Sequence, residues 1–192
     1  MSRRLAQGLP PVDAASERPP VTAVVALGSN LGDRGGILEA AVREIARLPL
    51  VDAVTLSPVI ESVAVTVDGP DESAPAYLNA VALVTTRLAP SVLLGLLHGI
   101  ETAAGRERRV RWGDRTLDLD LIAYGDVVSD DPALVLPHPR AAERDFVLGP
   151  WLEADPDAVL VGRGRVADLL AALRPDGERP GGGREDAAGA ST

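Results

Sequence analysis

Two stretches of helical spacing alternate with apolar runs of strand character, and this order restricts the fold more than any other property of the chain. Ile37, Leu38, Ala41, Ile45 and Leu48 form one apolar stripe, and Leu93, Leu94, Leu97 and Ile100 form another. The first stripe follows a continuous apolar run, Val21 to Leu27, that ends in the turn and cap residues Gly28-Ser29-Asn30-Leu31-Gly32-Asp33. It stops at Pro49 and gives way to the β-branched segment Val51 to Ile60, predicted as a second strand. A Gly/Pro/Asp/Ser loop, Asp68 to Pro75, leads to a third strand over Tyr77 to Leu88. There Tyr77, Asn79, Val81 and Leu83 share one face, and Leu78, Ala80, Ala82 and Val84 share the other. Pro90 opens the second helix at a position where its missing N–H costs nothing, with Glu101 in its last turns. A fourth strand follows at Leu117 to Ile122.

The order β-α-β-β-α-β predicts an α+β, ferredoxin-like sandwich, an antiparallel sheet with two helices packed on one face. Beyond Gly125 the pattern breaks into short C-terminal additions: the rigid connection Leu136-Pro137-His138-Pro139, a helical or irregular segment leading to Trp151, and a short helix over Val166 to Leu173. A length of 192 residues with 46% hydrophobic content supports one domain with a real core. Residues 1–20 and 175–192 lack periodicity and read as flexible tails, which leaves 21–174 as the folded unit. No run approaches the ~18 apolar residues of a membrane span, so a cytoplasmic protein without membrane contact is expected.

Composition narrows the chemistry. The chain has no cysteine and two histidines, which excludes disulfides, thiol nucleophiles and cysteine-based metal centres. All 19 basic residues are arginine, so Walker-type phosphate lysines, Schiff bases and pyridoxal-phosphate catalysis are excluded as well. A net charge of −9 argues against a nucleic-acid partner. Yet five arginines cluster between Gly105 and Arg115, directly before Leu117-Asp118-Leu119-Asp120-Leu121. In a strand, Asp118 and Asp120 point to one face and the leucines to the other. Two hard oxygen ligands beside a cationic loop suit Mg²⁺ and a polyphosphate. An edge strand with a solvated acidic face beside a basic loop has the same pattern, and the segment alone does not separate the two.

Three separated places carry polar or aromatic groups that ordinary packing does not obviously need, although a lone Phe more often belongs to a core: the start of the third strand, the Gly105 to Ile122 segment, and Pro137 through Phe146. Tyr77, Trp112 and Phe146, three of only five aromatic residues, fall in these places. Their motifs are Ala26-Leu27-Gly28-Ser29-Asn30-Leu31-Gly32, Tyr77-Leu78-Asn79-Ala80-Val81, Ile100-Glu101, Gly105-Arg106, Arg111-Trp112-Gly113-Asp114-Arg115-Thr116-Leu117-Asp118-Leu119-Asp120-Leu121-Ile122, Leu136-Pro137-His138-Pro139 and Arg144-Asp145-Phe146-Val147-Leu148. In this order and spacing the chain resembles the 6-hydroxymethyl-7,8-dihydropterin pyrophosphokinases of folate biosynthesis.

That resemblance implies transfer of pyrophosphate from ATP to the hydroxymethyl oxygen of the pterin, with release of AMP. By the same resemblance Asp118 and Asp120 hold two Mg²⁺ ions, and Arg106 and Arg115 stabilise charge on the transferred group. Arg108, Arg111, Trp112, Arg115, His138 and Arg144 are the implied ATP contacts. Tyr77 and Phe146 sandwich the pterin, and Asn79 bonds its polar edge. ATP and the pterin are the expected small-molecule partners of a monomer. The chain departs from the family at Asp114, where proline or a small residue is usual, and at Glu61-Ser62-Val63-Ala64-Val65, where many members have a Thr- and Pro-containing segment. At Pro139 some members have an aromatic residue.

Overall fold

The structure is a computed structural model that describes residues 18–66, 69–71, 75–105 and 116–173. Strand β1 (Val21–Ser29) is followed by helix α1 (Arg34–Ala46), then by strands β2 (Val51–Leu56), β3 (Ile60–Ser62), β4 (Ala64–Thr66), β5 (Gly69–Asp71) and β6 (Tyr77–Thr86). Helix α2 (Pro90–Ala103) and strand β7 (Asp118–Tyr124) come next. The C-terminal part holds β8 (Ser129–Asp131), β9 (Leu134–Leu136), a 3-10 turn (Ala141–Glu143), α3 (Asp145–Ala154), β10 (Val159–Leu160), β11 (Gly164–Arg165) and α4 (Val166–Leu173). The main sheet is antiparallel in the order β2-β6-β1-β7, with β3 also paired to β6.

Alternation along the central strands divides the hydrophobic residues between two cores, one on each face of the sheet. Val25 and Leu27 of β1, Ala82 and Val84 of β6, and Leu119 and Leu121 of β7 face α1 and α2. There they meet Leu38, Ala41, Ile45, Leu93 and Leu97, all buried. Each fully buried leucine or isoleucine contributes about 1.5–3 kcal/mol relative to exposure, so this face anchors the domain. The opposite face sets Val24, Val81 and Ile122 against Val147, Leu148 and Trp151 of α3 and Val166 of α4. Sequence periodicity places two helices on one face. The C-terminal additions cover much of the other.

Three local features differ from the sequence expectation, and one expectation with two alternatives is decided. The segment 51–60 is interrupted, because Pro58 has no N–H to offer the ladder and Ser57 pairs with Val81 instead. The Ser57 amide donates to the Val81 carbonyl at 2.9 Å, and the Ser57 hydroxyl accepts the Val81 N–H at 2.9 Å. The expected loop 68–75 contains β5, which pairs antiparallel with β4. The segment leading to Trp151, expected as helical or irregular, is helical, with Pro150 inside the helix. Finally, β1 and β7 shift register at Val24/Val25, which leaves Ile122 without a cross-strand partner and reverses the alternation beyond it. Tyr124 therefore turns to the α1/α2 side, where its hydroxyl donates to the buried Leu88 carbonyl.

Candidate active site

At the Ser29 end of β1 the sheet opposes residues in two rows. Gly28 pairs with Asn79 of β6 on one side and Asp118 of β7 on the other, and Ala26 likewise pairs with Val81 and Asp120. Directly opposed residues of an antiparallel pair share a face, so Asn79, Asp118 and Asp120 stand on the α3 side of the sheet around a floor of two small residues. A Cβ placed on Gly28 would lie 3.4 Å from Asn79 Oδ1 and 3.8 Å from Tyr77 Cδ1. Tyr77 therefore leans over the same trough. Asn79 is buried, and its amide Nδ2 donates to Ser62 Oγ of β3 at 2.8 Å, which fixes how the amide is turned.

The far wall comes from the chain after β9. The Leu136–Pro137 peptide is cis, and the His138 amide donates to the Ile122 carbonyl at 2.8 Å. The Arg140 amide donates to His138 Nδ1 at 3.2 Å, so the neutral imidazole carries its proton on Nε2, which lies 4.0 Å from Asp120 Oδ2. Burial pushes the His138 pKa below its ordinary value of 6.5, while Asp120 pulls it back up. Arg144, at the start of α3, donates from Nη1 to Asp120 Oδ2 at 2.7 Å, and its guanidinium carbon lies 5.8 Å from the centre of the Phe146 ring. A charge-assisted bond of that length is among the stronger side-chain contacts.

Of the residues singled out in the sequence, Tyr77, Asn79, Asp118, Asp120, His138, Arg144 and Phe146 lie around this trough. Arg106, Arg108, Arg111, Trp112 and Arg115, together with Asp114, lie outside the described residues. Among the described residues no group of three or more acidic or histidine side chains is placed to share a metal ion. Two half-buried carboxylates on one strand face are nonetheless a suitable donor set for Mg²⁺, which uses one or two protein carboxylates and fills its remaining positions with water and phosphate oxygens.

Sequence reasoning placed Glu101 in the last turns of its helix but did not find what it holds. Glu101 is only 1% exposed and accepts the Leu119 N–H at 2.9 Å, so α2 holds β7 between its two aspartates. Its signal was available: Leu93, Leu97 and Glu101 follow one another at i, i+4 and i+8, which places a carboxylate on an apolar stripe. The buried Ser29 hydroxyl donates to the Thr116 carbonyl at 2.6 Å and ties the end of β1 to the chain just before β7. Nothing in the sequence pointed to that contact.

The trough thus sets Asn79 and Tyr77 on one side of Gly28 and Ala26 and the two carboxylates on the other, with Arg144, His138 and Phe146 beyond Asp120. The family model described as 7,8-dihydro-6-hydroxymethylpterin-pyrophosphokinase (HPPK) matches residues 24–156. The chain is 39% identical over 150 residues to the 2-amino-4-hydroxy-6-hydroxymethyldihydropteridine pyrophosphokinase of Haemophilus influenzae, covering 78% of this chain and 91% of that one. To the Pseudomonas aeruginosa protein of the same name it is 40% identical over 153 residues, covering 80% and 92%. The chain belongs to the HPPK family. Its fold is similar to that of the Plasmodium falciparum HPPK-DHPS, with a TM-score of 0.62 at 15% identity, covering 84% of this chain and 46% of that one.

Proposed function

We propose that this chain transfers the terminal pyrophosphoryl group of ATP to the hydroxymethyl oxygen of 6-hydroxymethyl-7,8-dihydropterin, giving AMP and the pterin diphosphate for folate synthesis. The observation that carries this reading is the pairing of Gly28 with both Asn79 and Asp118, which sets a heterocycle wall and an acidic strand on either side of one trough. We read the domain as ferredoxin-like, which the strand order β2-β6-β1-β7 supports. The functional unit is taken as residues 21–174 between two tails, acting as a cytoplasmic monomer. No described helix is long and apolar enough to cross a membrane. The net charge of −9 argues against a nucleic-acid partner.

Asp118 and Asp120 would hold two Mg²⁺ ions, whose chemistry is to neutralise the triphosphate and favour ionisation of the pterin hydroxyl. The side chains do the rest by placement. Asn79, with its amide orientation set by Ser62, presents hydrogen-bonding atoms to the pterin edge, and Tyr77 and Phe146 stack on its faces. Arg144 and His138 Nε2–H face Asp120, and in this reading they grip phosphate oxygens. Arg106, Arg108, Arg111, Trp112 and Arg115 complete the ATP side, with Arg106 and Arg115 meeting the charge that builds as the bond to AMP breaks. This division needs no protein nucleophile, which accords with a chain lacking cysteine and lysine.

The test is a product assay with ATP, Mg²⁺ and the reduced pterin. AMP and the pterin diphosphate are expected in equal amounts, with turnover lost on chelation of the metal and in Asp118→Ala and Asp120→Ala. ADP as the product, or full activity in either variant, would overturn the assignment.

A further inference from the structure

Arg34 occupies the first position of α1, where the positive end of the helix dipole disfavours a cation. Asp33 caps that end through the Gly36 amide, so the helix gains nothing from arginine there. Its guanidinium is committed elsewhere. Nη1 donates to the Ala76 carbonyl at 2.5 Å and to Glu61 Oε1 at 3.0 Å, and the side chain is about two-thirds buried. These two acceptors lie on different segments. Glu61 belongs to β3 and Ala76 directly precedes β6, and the last pair between these strands is Ser62 with Tyr77. One cation thus closes the ladder at its open end, immediately beside Ser62, Tyr77 and Asn79.

We propose that Arg34 is a positioning residue for the pterin half of the site, a latch that holds β3 and the start of β6 in register so that Ser62 can set the Asn79 amide and Tyr77 can lean over Gly28. β3 has only three residues and, among the described residues, pairs with β6 alone. A strand that short has little stability of its own. The 2.8 Å bond from Asn79 to Ser62 depends on where β3 lies, and the Arg34 contacts to both neighbouring segments set that position. Among the described residues the ATP wall has its own contacts, with Arg144 and His138 meeting Asp120 and Ile122.

This inference rests on the assignment of Tyr77 and Asn79 to the pterin, and the experiment separates the two. Steady-state kinetics of Arg34→Ala, Glu61→Gln and Asn79→Ala are compared in the full chain, with melting temperatures measured alongside. Arg34→Ala is expected to raise KM for the pterin about tenfold, the size of one lost charge-assisted contact, with KM for ATP and kcat within about twofold of the parent. Glu61→Gln keeps the Ala76 bond and is expected to shift the pterin KM in the same selective direction by about two- to threefold, as for an exposed pair. It decides the matter if Arg34→Ala does not fold. Equal rises in both KM values, or a loss of kcat alone, would overturn the latch. If Asn79→Ala raises the pterin KM and Arg34→Ala does not, the latch alone is wrong. If neither does, this wall does not bind the pterin.

Discussion

Gly28→Ala asks directly whether substrate occupies the floor between β6 and β7. Neighbouring strands lie about 4.8 Å apart, so Asn79 and Asp118 stand on either side of Gly28 with only its backbone between them. The added methyl carbon would meet Asn79 Oδ1 at 3.4 Å and Tyr77 Cδ1 at 3.8 Å, which is ordinary contact. Gly28 is not among the glycines with positive φ, so alanine adopts its backbone without strain. The unfolded chain loses freedom on the same substitution, which is worth about 0.4–1 kcal/mol in favour of the folded state. Thermal unfolding is therefore expected to show a melting temperature equal to or slightly above the parent. Activity should move the other way. A ligand that reaches from Asn79 to Asp118 must cross Gly28, and a methyl group forces it off by more than 1 Å, for a loss of about 1.5–3 kcal/mol, or ten- to hundredfold in kcat/KM for the pterin. A variant as stable as the parent with unchanged kcat/KM would refute this, because it would mean that nothing passes over the floor between the two walls.

Two further outcomes test parts of the structure away from substrate. Tyr124→Phe removes the hydroxyl that satisfies the buried Leu88 carbonyl, a cost of about 1–2 kcal/mol. Calorimetry should show a melting temperature lower by a few degrees with kinetics unchanged, because β7 separates Tyr124 from Asp118 by about 20 Å. His138 in the folded protein should titrate below 6.5 by NMR, since burial disfavours its charged form. Unfolded imidazole then binds protons more readily than folded, so stability suffers no penalty from His138 above pH 6.5 and declines as pH falls from there towards the folded value. A titration midpoint above 6.5 would show that the Asp120 charge outweighs burial.

The parts of this fold that could be read from sequence are those in which one periodicity decides. The stripes of α1 and α2, the two faces of β6, and Asp118 and Asp120 on the same face of β7 all follow from spacing alone. What spacing could not supply is set by single atoms or by contacts between distant segments. The break after Leu56 depends on a proline lacking a proton, and the reversal at Ile122 on one residue without a partner. The site residues Tyr77, Asn79, His138, Arg144 and Phe146 came from motifs in their order, and the structure sets them around one trough. Glu101 stood out as a carboxylate on an apolar stripe without naming its partner, the Leu119 N–H, whereas Ser29 and Arg34 were unread because each acts on a backbone carbonyl 87 and 42 residues away, and such an acceptor leaves no trace in residue identity.

Helix α3 serves the two halves of its sheet face at once. Its opening turn brings Arg144 to Asp120 and sets Phe146 beside it, while Val147, Leu148 and Trp151 seal the second core against β1 and β6. Under the proposed function, capture of substrate is mechanically continuous with the docking of α3 onto the sheet. A protein cut before residue 140 would lose one wall of the trough together with the cover of the second core, so on that reading a bound substrate should protect α3 from proteolysis. Ligand affinity and local unfolding of α3 are then two measurements of a single equilibrium.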